Sequence, residues 1–107
     1  MRGELWTASG GPDYAGKPRP VLIIQADGFD ATASVLVCLI TSAQDDVPHA
    51  RPKLAPTASN GLLVPSRAMA NKLTAVPRSR LGRRIGRLEP AALAEVERAL
   101  LVVLGLA

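Results

Sequence analysis

The stretch KPRPVLIIQADGFDATASVLVCLITS, residues 17–42, decides how the chain is read. Two apolar, β-branched runs, residues 20–26 and 34–42, flank DGFDATA, whose Asp-Gly step and small polar residues are turn material. The pattern predicts two antiparallel neighbours in the middle of a sheet. The entry to the first run is peculiar. Pro18 and Pro20 each fix their own φ and push the preceding residue toward extended backbone, so Arg19 is held stiffly at the mouth of a strand. A fixed planar guanidinium suits bidentate recognition of a phosphate or carboxylate; a structural ion pair at a sheet edge is its other ordinary use. Antiparallel pairing carries the end of the second run, Thr41 and Ser42, back toward Arg19. Two hydroxyls and a guanidinium then converge at one rim, although Thr41 taken alone is an ordinary strand-end residue.

Working outward, residues 2–8 read as a first strand, with Leu5 and Thr7 on one face and Glu4 and Trp6 on the other. Trp6 is read as a core or interface residue in preference to a base-stacking platform. Residues 9–18, with three glycines and two prolines, are a loop. The segment 44–60 contains three prolines and reads as a long connection holding a short strand at 51–54. Shorter strands are expected at 62–65 and 72–76, and a last one at 84–88. The C-terminal segment changes period. After Glu89 as N-cap and Pro90 at the first helical position, Leu93, Val96, Leu100, Val103 and Leu104 recur at spacings of three and four. This apolar stripe needs a sheet or a second subunit to cover it. Glu95 and Arg98 form a surface pair off the stripe, and Gly105 ends the helix. Five to seven short strands closed by one helix imply a small barrel-like sheet, because closure removes exposed edges.

With 107 residues, 48% of them hydrophobic, residues 1–107 read as a single domain able to bury one core without cross-links. The one cysteine, Cys38, sits in the run VLVCLI and reads as buried and inert. Neither a secretory leader nor a membrane span of about 20 apolar residues is visible. The expected place is the cytoplasm. The net charge of +4 is unevenly spread. No Asp or Glu occurs from Val47 to Leu88, a window that holds Arg51, Lys53, Arg67, Lys72, Arg78, Arg80, Arg83, Arg84 and Arg87. Such a field suits a polyanion; a solvated basic face answering acids elsewhere is the plainer explanation.

The chemical inventory narrows the field. There is one histidine, His49, in a loop and read as a surface residue, so no His pair serves as base and acid. No metal-ligand spacing and no glycine-rich phosphate loop before a helix occurs. Any catalytic set must be built from Arg, Thr, Ser, Lys or Asn.

RGELW, GKPRPVLII, VLVCLITS, GLLVPSRAM and TAVPRSRLGRRIGRL, followed by a terminal helix, together resemble the PemK/MazF toxins of bacterial type II toxin–antitoxin systems. Each motif alone is weak, and their order across nearly the whole chain carries the resemblance. It implies a mainly β fold with a C-terminal α-helix, a small SH3-like barrel, and a homodimer. It implies a ribosome-independent, sequence-specific endoribonuclease that needs no metal or other cofactor and cuts single-stranded RNA through its own 2′-hydroxyl. It implies an acidic-tailed antitoxin as partner. Arg19 matches the family's catalytic arginine and Thr41 its catalytic threonine, with Lys17, Ser42, Asn71, Lys72 and Arg80 as candidate RNA contacts. One departure stands out. Many relatives have Asp-Gln where this chain has Asn71 and Lys72, so the acid's role is not carried over; the Asn71 amide is a candidate for reading a base edge. A non-catalytic RNA-binding module on the same fold would explain the basic window as well, and a toxin of related fold that poisons gyrase would leave Arg19 without a catalytic purpose.

Overall fold

The computed structural model describes residues 1–10 and 17–107. Six strands form one antiparallel sheet: β1 (Glu4–Ala8), β2 (Arg19–Ile23), β3 (Ser34–Thr41), β4 (Lys53–Leu54), β5 (Ser66–Pro77) and β6 (Leu81–Arg87). Helix α1 (Pro90–Val103) follows, and the strand order is β4-β5-β3-β2-β1-β6. The fold is therefore mainly β, a curled sheet with one C-terminal helix. Most of the expected loop at 9–18 falls outside the described residues.

The apolarity of β2 and β3 has a direct cause: beyond their exposed first residues and Leu36, both strands bury side chains on both faces. Leu22, Cys38 and Ile40 point into a core with Leu5, Leu54, Leu88 and the helix residues Val96, Ala99 and Leu100. Val21, Ile23, Val35, Val37 and Leu39 point the other way, into a second cluster enclosed by Trp6, Met69 and Leu81. Trp6 thus packs, as expected, and its indole N–H donates to Glu4 Oε1 at 3.3 Å. Cys38 is wholly buried, and desolvation pushes its thiol up to about 12, which leaves no reactive thiolate at neutral pH.

The sheet closes through a loop. Arg87 N donates to the Ser59 carbonyl at 2.8 Å, joining β6 to the segment after β4. That segment is organised by Asn60, only 2% exposed, whose side-chain oxygen accepts from the backbone N–H groups of Thr57 (3.0 Å) and Leu62 (2.9 Å). Its amide nitrogen donates to the Ala55 carbonyl at 2.8 Å. The loop and β6 then touch at glycine. A Cβ at Gly61, where φ is +70°, would stand 2.0 Å from the Ile85 carbonyl oxygen, and one at Gly86 would stand 2.3 Å from the Asn60 carbonyl carbon.

Two strand expectations change. Residues 62–65 form no strand, because the Leu62 N–H is taken by the Asn60 side chain and Leu63 is thrown outward, 94% exposed. The expected strand at 72–76 is the second half of the long β5. Against β3, Cys38 pairs with Leu73 but Leu39 with Met69, so Ala70, Asn71 and Lys72 form a bulge of unmatched residues. The bulge is still supported, for Ala70 N donates to the Ala50 carbonyl at 2.9 Å.

Helix α1 starts at the expected cap and ends at Gly105, whose φ is +73°. Leu93, Val96 and Leu100 face the sheet as the period requires, joined by Ala99. Val103 and Leu104 do not; with Leu101, Val102 and Leu106 they leave an apolar end on the surface. Among the described residues the helix's ion pair joins Glu97 to Arg2 in place of the expected Glu95–Arg98 contact. No helix is long and apolar enough to cross a membrane among the described residues.

Candidate active site

Arg19 opens β2 opposite Ala8 of β1, and the β2–β3 register aligns Val21 with Leu39. Continuing that register by two residues brings Arg19 level with Thr41 at the end of β3. The proline-bounded arginine and the strand-end hydroxyl therefore meet from neighbouring strands. Arg19 is exposed, while Thr41 is half-buried and its hydroxyl accepts the Ala43 N–H at 3.1 Å.

Both line a groove of about 820 Å³, open to solvent, bounded by the ends of β2 and β3, the link after β3, the segment 61–64, and facing residues of β5 and β6. Of the candidates from sequence, Arg19, Thr41, Ser42 and Lys72 line it together. The structure places Lys17, Asn71 and Arg80 outside this lining. Lys17 is exposed two residues before Arg19. Asn71 lies in the β5 bulge and its side-chain oxygen accepts from Arg51 Nε at 3.3 Å, so the amide steadies an arginine of the groove wall. Arg80 sits in the short 3-10 turn between β5 and β6, where its stem lies beside Gly10 and its carbonyl accepts the Ser9 N–H at 3.2 Å.

Three groove residues escaped the reading of the sequence as site members: Arg51, Arg83 and Asp45. Arg51 and Arg83 belong to the acid-free window, but no spacing rule singles them out from its other seven cations. Arg83 is fixed by its own strand, because its N–H donates to Thr7 Oγ1 at 3.0 Å across the β1–β6 pairing.

The groove's charge follows from how the acids are used elsewhere. Among the described residues the side-chain ion pairs are Arg2–Glu97, Arg67–Asp46 and Arg84–Glu4, with Glu4 also binding the N-terminal ammonium. None takes a groove cation. Arg19, Arg51, Lys72 and Arg83 therefore line the cleft together, with Asp45 as the single carboxylate among the described lining residues. The net field attracts a phosphate chain.

The chain, a curled antiparallel sheet with one terminal helix and a cationic groove, belongs to the family of PemK-like, MazF-like toxins of type II toxin–antitoxin systems, whose sequence model matches residues 1–104. It is 50% identical over 106 residues to the probable endoribonuclease MazF of Mycolicibacterium smegmatis, covering 99% of this chain and 97% of that protein. Among solved structures, the Mycobacterium tuberculosis toxin MazF-mt6 matches with a TM-score of 0.81 at 26% identity, over 97% of this chain and 98% of that one. MazF from Deinococcus radiodurans matches with a TM-score of 0.79 at 25% identity, over 97% and 94% of the two chains. A mycobacterial endoribonuclease solved in complex with its cognate antitoxin shares the fold, with a TM-score of 0.80 at 23% identity over 100% and 96%.

Proposed function

We propose that this toxin is an endoribonuclease that cuts single-stranded RNA in the groove, and that Arg19 and Thr41 carry the chemistry. The observation behind this reading is their convergence from neighbouring strands at the mouth of a cleft rimmed by cations. The nucleophile belongs to the substrate. Attack of a 2′-hydroxyl on the adjacent phosphate gives a 2′,3′-cyclic phosphate and a 5′-hydroxyl without a metal-bound water. Negative charge builds on the phosphorane, and the guanidinium of Arg19, carried on backbone that Pro18 and Pro20 restrict, stabilises it. Thr41 donates a hydrogen bond to a non-bridging oxygen. Arg51, Lys72 and Arg83 hold flanking phosphates, with Ser42 beside them; Lys17 and Arg80 would meet RNA only beyond the groove.

An acidic antitoxin tail fits the same cationic cleft, and the complex of the mycobacterial relative with its cognate antitoxin supports that partner. The exposed apolar end of α1 supports a homodimer. Action on RNA, with the whole of residues 1–107 working as one unit, supports a cytoplasmic location as part of this reading. The test is incubation with a long RNA in excess EDTA. Discrete cuts with 5′-hydroxyl ends are expected, with kcat lowered by about 10²–10³-fold in Arg19→Ala. Binding without scission by folded wild-type protein would replace this reading with the non-catalytic module.

A further inference from the structure

The groove holds a group that neither Arg19 nor Thr41 explains. Asp45 lies in the link after β3, on the groove wall beside Thr41 and Ser42. That link is tied down on both sides of it. Gln44 Nε2 donates to the carbonyls of Ser42 at 3.1 Å and Pro65 at 3.3 Å. Asp46 Oδ1 accepts at 3.2 Å from Arg67, whose side chain is only 9% exposed. A carboxylate in a groove meant for a polyanion weakens ground-state binding, so its presence there calls for a chemical use.

The reaction supplies one. Before the 2′-oxygen can attack, its proton must go to an acceptor. The charged groups facing the groove are Arg19 from β2, Arg51 from the link before β4, Lys72 from β5 and Arg83 from β6, and arginine and lysine bring donors without acceptors. The hydroxyls are weak bases. Asp45 is the one strong acceptor among the described lining residues.

We propose that Asp45 is the general base of the cleavage, an inference that rests on the endoribonuclease reading above. Its carboxylate takes the 2′-hydroxyl proton as the O2′–P bond forms and the P–O5′ bond breaks. The departing 5′-oxygen takes a proton from water in the open groove, and Asp45 returns its own to solvent. Atoms and charge balance with no co-reactant. A carboxylate thereby joins the Arg, Thr, Ser, Lys and Asn to which the residue inventory had confined the catalytic set: the base arrives from the β3–β4 link, whereas position 71, in the β5 bulge, carries an amide.

The experiment compares wild type, Asp45→Asn, Asp45→Glu and Arg19→Ala on an RNA oligonucleotide containing a mapped cleavage site. Affinity is measured on the same oligonucleotide with a 2′-O-methyl group at the cleaved nucleotide. Asp45→Asn is expected to lose about 10²–10⁴-fold in kcat, to bind the uncleavable RNA as tightly as wild type or more tightly, and to be partly rescued in Asp45→Glu. A sulfur at the scissile 5′ position, which departs without a proton, should not restore it. Asp45→Asn within tenfold of wild type, an equal loss of affinity, or rescue by the 5′ sulfur would each overturn the assignment. An inactive Arg19→Ala beside an active Asp45→Asn removes Asp45 alone, whereas full activity in both variants removes the Arg19 reading as well.

Discussion

Arg67 carries a charge into a region almost closed to water, and the two groups it holds both belong to the link that forms a groove wall. Its Nη1 donates to the Arg51 carbonyl at 2.9 Å and to Asp46, while its Nε is buried without a partner among the described residues. Asp46 is 67% exposed, so water screens the pair and its Coulombic worth is small. Replacing the guanidinium by an apolar chain removes an incompletely satisfied buried charge along with its bonds, and these effects oppose each other. Arg67→Met is therefore expected to lose no more than about 1–2 kcal/mol of stability in denaturant titration, while proteolysis within residues 43–52 becomes faster. A large stability loss with an unchanged cleavage pattern would show that Arg67 serves the core and not the loop. At this scale the sequence was partly legible. The meeting of Arg19 and Thr41 at one rim was legible because the flanking prolines and the pairing of two consecutive strands act locally. Asp45, Arg51 and Arg83 were not, because long-range pairing and loop tethers bring them together.

The elements obeyed their periods wherever pairing was regular. β3 and α1 lie where apolar runs and three-four spacing put them, within a residue or two at the ends, and β2 begins one residue before the expected run 20–26 and ends three residues short of it. Only residues 72–76 of β5 read as strand from the sequence, because three unmatched residues interrupt its alternation, and only the facing strand reveals that they are a bulge. The strand expected at 62–65 failed because one buried side chain, Asn60, takes the hydrogen bond that pairing would have used. Helical periodicity likewise identifies an apolar face without stating how much of it the sheet will cover. The glycine contacts make a sharp prediction for closure. In Gly61→Ala the methyl group meets a backbone oxygen at a φ that alanine avoids, so the loop after β4 must leave β6. The expected cost exceeds about 1 kcal/mol, visible as a lower melting temperature, whereas Gly28→Ala, with open space at its Cβ, should leave the melting temperature nearly unchanged.

Across the whole molecule, charge is sorted more than it is accumulated. Carboxylates neutralise Arg2 beside α1, Arg84 near the N-terminal end and Arg67 beneath the loop, and four of the cations left without such a pair line the groove. Four lining cations that each displace counterions from single-stranded RNA predict a slope of roughly −3 for log affinity against log salt. Arg83→Ala should reduce the magnitude by about 0.7, measured by anisotropy on an uncleavable oligonucleotide; an unaltered slope would mean that Arg83 meets no phosphate. The seam and the groove also differ in the kind of variation they permit. At Gly61 and Gly86 backbone meets backbone, so there is no smaller residue to retreat to and no graded series of side chains with which to adjust the fit. The groove presents exposed side chains from strands, Arg19, Lys72 and Arg83, and from the tethered link after β3, Ser42 and Asp45, where one side chain after another can be exchanged without moving the sheet. Under mutation the fold is therefore rigid in its closure and permissive in its reading surface, an arrangement by which one scaffold can drift from one RNA sequence to another while remaining the same barrel.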